Sequence, residues 1–110
     1  MSPTRVAIAG STGSIGTQTL EVIDAENART PGSYEVVALA VGSSAAGVID
    51  QARRTSPQVV AVSDEEEGRE VAEALPGVEV VAELAAVVGP ADVVVNGVVG
   101  FAGLAVTIET

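Results

Sequence analysis

Gly10-Ser11-Thr12-Gly13-Ser14-Ile15-Gly16 follows the apolar run Arg5-Val6-Ala7-Ile8-Ala9 and precedes a helix-compatible segment. The order is strand, glycine turn, helix. A turn of this kind points backbone N–H groups at a phosphate, and the helix N-terminus adds partial positive charge. Gly10 permits the tight turn, the small residue Gly13 lets the backbone approach a pyrophosphate, and Gly16 lets helix and strand pack closely. The spacing is G-x-x-G-x-x-G rather than the G-x-G-x-x-G of the simplest dehydrogenases. A tight βα turn with no ligand has the same spacing. The position of the run, between a first strand and a first helix, favours nucleotide binding.

Working outward, the sequence alternates strands and helices. The first strand is expected at about Arg5–Ala9 and the first helix from about Ser14 to Asn27, with Ile15, Thr19, Val22 and Ile23 on its inner face. Pro31-Gly32-Ser33 is a turn. Tyr34–Val41 is a second strand whose run Val36-Val37-Ala38-Leu39-Ala40-Val41 lacks polar alternation and so reads as buried on both faces. After Gly42-Ser43-Ser44, a helix presents Ala45, Val48, Ile49 and Ala52 on one face. Arg53 and Arg54 suit its last turn, where cations complement the helix dipole. Their alternative use, reaching a phosphate, is less favoured at a helix end. Pro57 stops the helix.

Gln58–Val62 is a third strand. Ser63 and Glu66 have capping-box spacing, and Asp64-Glu65-Glu66-Glu67 fills the next helix's first turn with negative charge. A metal site is the weaker reading of that acidic run, because consecutive acids on a helix point in different directions. Val71, Ala72 and Leu75 are expected inward, and Pro76-Gly77 ends the helix. A strand at Val78–Ala82, a short helix at Glu83–Val88, a turn at Gly89-Pro90 and a strand at Ala91–Asn96 follow. Gly97, Gly100 and Gly103 then mark a loop, and Leu104–Thr110 opens another helix. Leu84–Val106 is long and apolar, but Gly89-Pro90, Asp92 and Asn96 interrupt it, which favours helix, turn and strand over a membrane span.

This pattern specifies an α/β fold: a Rossmann-like, doubly wound parallel sheet in three α/β/α layers, in one domain over residues 1–110. The ends of the first two strands are expected to border the ligand crevice, at the switch point in strand order.

Of the 110 residues, 47% are hydrophobic, which is enough for a modest core. That core is aliphatic, since Tyr34 and Phe101 are the sole aromatics. There is no Cys and no His, so thiol catalysis, imidazole bases and ordinary zinc sites are excluded. The formal charge of −10, with no Lys at all, disfavours nucleic acid and anionic membranes as partners. It also opposes a phosphorylated cofactor, an opposition the backbone N–H groups at Gly13–Ile15 have to overcome locally. No signal peptide is visible in Met1–Arg5, which leads directly into the first strand, and cytoplasm is the expected compartment.

The end of the second strand, Val41-Gly42-Ser43-Ser44, carries no acid to bond adenosine ribose hydroxyls. That mildly favours the 2′-phosphate of NADP, with Ser43 and Ser44 as hydrogen-bond donors. Capping the next helix is an equal and compatible role for Ser44. Asn96-Gly97-Val98-Val99-Gly100, at the carboxyl end of a strand, reads either as the nicotinamide side of the crevice or as a plain Asn-Gly turn.

The run Gly10-Ser11-Thr12-Gly13-Ser14-Ile15-Gly16-Thr17-Gln18-Thr19-Leu20 closely resembles the N-terminus of the 1-deoxy-D-xylulose 5-phosphate reductoisomerase family. Further likeness lies at Tyr34-Glu35-Val36-Val37-Ala38-Leu39 with Gly42, and at Asp92-Val93-Val94-Val95-Asn96 through Gly100 and Leu104. The resemblance implies an NADPH-dependent enzyme that makes 2-C-methyl-D-erythritol 4-phosphate for non-mevalonate isoprenoid synthesis. It implies NADPH contacts at Thr12, Gly13, Ser14 and Ile15, within the Gly10–Gly16 turn. It implies approach of the adenosine 2′-phosphate to Gly42, Ser43 and Ser44, where the two serines depart from the family's commonest form. The family's catalytic and metal-binding residues have no counterpart before Thr110, so no catalytic or metal residue is assigned here. A divalent metal (Mg or Mn), the sugar-phosphate substrate and a homodimer partner are expected of a longer chain, of which this sequence is a C-terminally truncated part, inactive alone. The alternatives are a domain of another two-domain reductase, of semialdehyde-dehydrogenase type, and a non-catalytic nucleotide-binding module.

Overall fold

Strand β1 is Thr4–Ala9, and the glycine turn carries it into helix α1, Ser14–Arg29. The chain continues as β2 Tyr34–Val41, α2 Ala45–Thr55, β3 Val59–Val62, α3 Glu65–Ala74, β4 Glu79–Val81 and β5 Val93–Asn96. The computed structural model describes residues 3–83 and 91–96. The helix expected at 83–88, past Glu83 itself, lies outside the described residues. So do the Gly89-Pro90 turn, the glycine loop, the 97–100 segment and the helix expected at 104–110.

All strand pairings are parallel, in the order β4-β3-β2-β1-β5. The chain steps outward from β1 to β4 and returns on the other side of β1. The reversal in strand order therefore falls between β1 and β5, and the expectation of a switch point between the first two strands is corrected. The alternating pattern reveals that β5 exists, but not which edge of the sheet it joins.

Residues Val36–Val41 are buried throughout, as their unbroken apolar run requires. The parallel register with β1 shifts between Val6 and Ala7, so that Val6 faces Val36 and Ala7 faces Ala38. Val37 is the extra residue. On one face of the sheet, Val6, Ile8, Leu39, Val41, Val60, Val62 and Val95 pack with side chains of α1, α2 and α3. The other face carries Ala7, Val37, Ala38, Ala40, Val59, Ala61 and Val94.

Two helix faces differ from expectation. In α1 the buried residues are Gly16, Leu20 and Ile23, while Val22 is 61% exposed. The buried stripe is rotated by roughly a quarter turn from the one read from Ile15 and Val22. Gly16 sets that rotation, because it abuts the turn (below). In α3 Val71 is buried, as is Leu75 at the C-cap, but Ala72 is exposed, lining an open cleft beside Val80 and Val81 of β4. The face of α2 is as expected, with Ala45, Val48 and Ala52 buried and Ile49 half-buried. Among the described residues no helix is long and apolar enough to cross a membrane.

Candidate dinucleotide site

The turn after β1 is held by the neighbouring strand. The Gly10 and Ser11 N–H groups both donate to the Ala40 carbonyl, at 2.7 and 3.1 Å. Gly10 has φ 76°, a left-handed conformation that glycine adopts without strain. The Gly13 N–H closes the turn on the Gly10 carbonyl at 3.0 Å. Gly13 is the N-cap of α1, and its carbonyl accepts from Thr17 at 2.9 Å.

A Cβ on Gly16 would overlap the Gly10 carbonyl oxygen and lie 2.6 Å from the Ser11 Cα. The close packing read from the third glycine is therefore literal. The expectation that Gly13 offers its N–H outward is corrected, since the turn itself uses that group. The N–H groups of Thr12, Ser14 and Ile15 have no acceptor among the described residues. They lie at the start of α1, where unpaired donors and the helix dipole favour an anion.

Gly42, Ser43 and Ser44 lie at the carboxyl end of β2, beside this turn and on the same edge of the sheet. All three are exposed. A Cβ on Gly42 would meet nothing within 4 Å, so packing does not demand glycine there. Ser44 is the N-cap of α2, but its side chain makes no capping hydrogen bond. The capping role considered for it is thus positional only, and its hydroxyl has no hydrogen-bond partner among the described residues. The Gly42 carbonyl accepts from the Asp64 N–H at 2.9 Å, which brings the acidic start of α3 against this turn. Asp64, not Ser63, caps that helix, with its carboxylate accepting from the Glu66 and Glu67 N–H groups at 3.0 and 3.1 Å. Arg53 and Arg54 lie in the last turn of α2, at the far end from Ser44. Among the described residues no three His, Cys, Asp or Glu side chains cluster as metal ligands.

Two residues at the site escaped the sequence reading. The Gln51 side chain donates from Nε2 to the Ser11 carbonyl at 2.8 Å, buried between α2 and the turn. Gly47 leaves room for the Thr12 side chain, whose Cγ2 would be 2.8 Å from a Cβ there. A polar residue on the apolar stripe of α2, three positions after Val48, was the available signal for Gln51.

Sheet order, parallel register and the glycine turn together define a Rossmann-like domain of the dinucleotide-binding class. The 1-deoxy-D-xylulose 5-phosphate reductoisomerase family model matches residues 6–110. The chain belongs to that family. Its reductoisomerase relative in Bacteroides thetaiotaomicron is 39% identical over 113 residues, covering 96% of this chain and 28% of the relative. The chloroplastic enzyme of Mentha piperita is 41% identical, covering 96% of this chain and 24% of its own length. The solved reductoisomerase from Zymomonas mobilis, in complex with NADPH, superposes with TM-score 0.74 at 31% identity. That match covers 89% of this chain and 26% of the other. A second reductoisomerase structure, in complex with NADPH, fosmidomycin and magnesium, shares the fold with TM-score 0.77 at 24% identity. The chain spans about a quarter of the length of the relatives it matches.

Proposed function

We propose that this chain is the NADPH-binding part of a reductoisomerase that converts 1-deoxy-D-xylulose 5-phosphate to 2-C-methyl-D-erythritol 4-phosphate, in non-mevalonate isoprenoid synthesis. The observation that carries the reading is that the Thr12, Ser14 and Ile15 N–H groups, in the turn and at the start of α1, have no acceptor among the described residues. Gly10 and Gly16 make that arrangement possible, through a positive φ and a missing Cβ. The residues present therefore fit a dinucleotide. When bound, NADPH supplies a hydride.

In this reading the free N–H groups hold the diphosphate and offset the chain's negative charge locally. Gly42, Ser43 and Ser44 meet the adenosine 2′-phosphate with exposed hydroxyls and an open glycine, and no carboxylate stands within that tripeptide. The sugar phosphate, a divalent metal (Mg or Mn) and a homodimer partner engage parts of the enzyme beyond the quarter represented here. The chain alone holds NADPH and turns nothing over. The cytoplasm, where NADPH is at hand, is the compartment we assign.

Gly13→Asp tests this directly. Gly13 has φ −78° and ψ 177°, an ordinary N-cap conformation that Asp adopts readily, so the backbone does not oppose the substitution, and retention of the melting transition checks that the variant is folded. The new carboxylate would occupy the anion position. Titrated with NADPH by fluorescence, the wild-type chain should saturate and the variant should not. Equal dissociation constants for the two would overturn the assignment.

A further inference from the structure

The carboxamide of Gln51 does more than tie two elements together. Gln51 is 7% exposed and Ser11 fully buried, and the Gln51 Nε2 to Ser11 carbonyl bond is 2.8 Å long. A peptide group is planar and trans, so the Ser11 C=O and the Thr12 N–H point in opposite directions. Drawing the carbonyl toward α2 therefore aims the Thr12 N–H away from α2. That N–H has no acceptor among the described residues and follows the positive-φ Gly10 by two positions.

A second contact holds the same residue. The Thr12 methyl fits where Gly47 lacks a side chain. Helix α2 thus fixes Thr12 through its peptide and through its methyl. The arrangement leaves Gln51 Oε1 and Ser11 Oγ buried without hydrogen-bond partners among the described residues. Unpaired buried polar atoms are unfavourable, and an apolar side chain of the same length would avoid one of them. Packing alone does not account for a glutamine at this position.

We propose that Gln51 is a positioning residue for the coenzyme's phosphates, acting through the Ser11–Thr12 peptide to aim the Thr12 N–H at them. The inference rests on the proposed coenzyme reading.

The test compares the wild-type 110-residue chain with Gln51→Met and Gln51→Glu. Each is titrated calorimetrically with NADP+, and each ligand-free chain is examined by 15N amide spectroscopy. Met keeps length and apolar packing but removes the donor. Its dissociation constant should rise roughly fivefold to tenfold, with the melting transition retained and the Thr12 amide resonance moved before any ligand is added.

Glu donates only when protonated, and burial raises a carboxyl pKa. Its affinity relative to wild type should therefore improve as pH falls from about 8 to about 5.5. A folded Met variant that binds like wild type, an unmoved Thr12 amide, or a pH-independent Glu ratio would each overturn the proposal. Should the Met variant not fold, the Glu profile decides. Wild type failing to bind NADP+ would instead sink the coenzyme reading, while the Thr12 amide still reports whether Gln51 orients that peptide.

Discussion

Gly16 illustrates how much one missing methyl can determine. Its absent side chain admits the Gly10 carbonyl and the Ser11 backbone, and that approach sets the rotation of α1 about its axis. Gly16→Ala has to push backbone against backbone, which overpacking data put at about 1–3 kcal/mol. Gly42→Ala meets open space, and Gly42 has no positive φ, so its cost should stay within about 0.5 kcal/mol. Thermal or urea unfolding of the two variants checks the contrast, and equal losses would contradict the packing role assigned to Gly16. The sequence made Gly10 and Gly16 legible because their spacing fits a known turn chemistry. The contacts of Gly47 and Gln51 were not legible, because their partners, Thr12 and Ser11, are 35 and 40 positions away, although a glutamine on an apolar stripe marks Gln51 itself as unusual. Such contacts exist only once α2 lies beside the turn.

Among the helices, boundaries were easier to read than caps. Ser44 and Ser63 both precede a helix and both belong to the capping residue types. In the folded chain Asp64 takes the cap of α3 instead, and Ser44 holds the N-cap position of α2 without a side-chain bond. Adjacent candidates such as Ser63 and Asp64 differ by one residue of helix phase, and the sequence does not resolve that. Asp64→Ala should therefore cost about 1 kcal/mol, whereas Ser44→Ala should be close to neutral for stability. A larger loss at Ser44 in denaturant titration would show that its hydroxyl caps in solution. The far end of α1 has a similar device. The Asn27 side chain accepts from the Tyr34 N–H at 3.0 Å and donates to the Tyr34 carbonyl at 3.1 Å, which pins the start of β2. Nothing in the spacing of Asn27 and Tyr34 announces it.

Across the whole molecule, the sheet was legible as five parallel strands, but its order was not. Order depends on which edge β5 joins, and that choice is made by contacts between residues far apart in sequence. Its clearest anchor is the pair Arg5 and Asp92, separated by 87 positions. The Arg5 N–H donates to Asp92 Oδ2 at 3.0 Å, the Asp92 N–H donates to the Arg5 carbonyl at 2.8 Å, and the guanidinium pairs with Oδ1 at 3.1 Å. The Arg5 side-chain hydrogen bond, reinforced by its backbone N–H, holds the Asp92 carboxyl below its ordinary pKa. A carboxyl depressed in the folded state stabilises the fold at pH above its unfolded value, about 4. That contribution is lost as pH falls through the lower, folded value. Arg5 is shifted upward by the same partner and stays charged throughout this range. Acid titration should therefore loosen the β1–β5 pairing, seen as a fall in amide protection at Val93–Val95 once each exchange rate is divided by its intrinsic rate at that pH. In Asp92→Asn the same amides should exchange faster already at neutral pH, with a shallower further change in acid. If wild type and variant show the same acid dependence, other carboxyls govern the register of β5 and the anchor lies elsewhere.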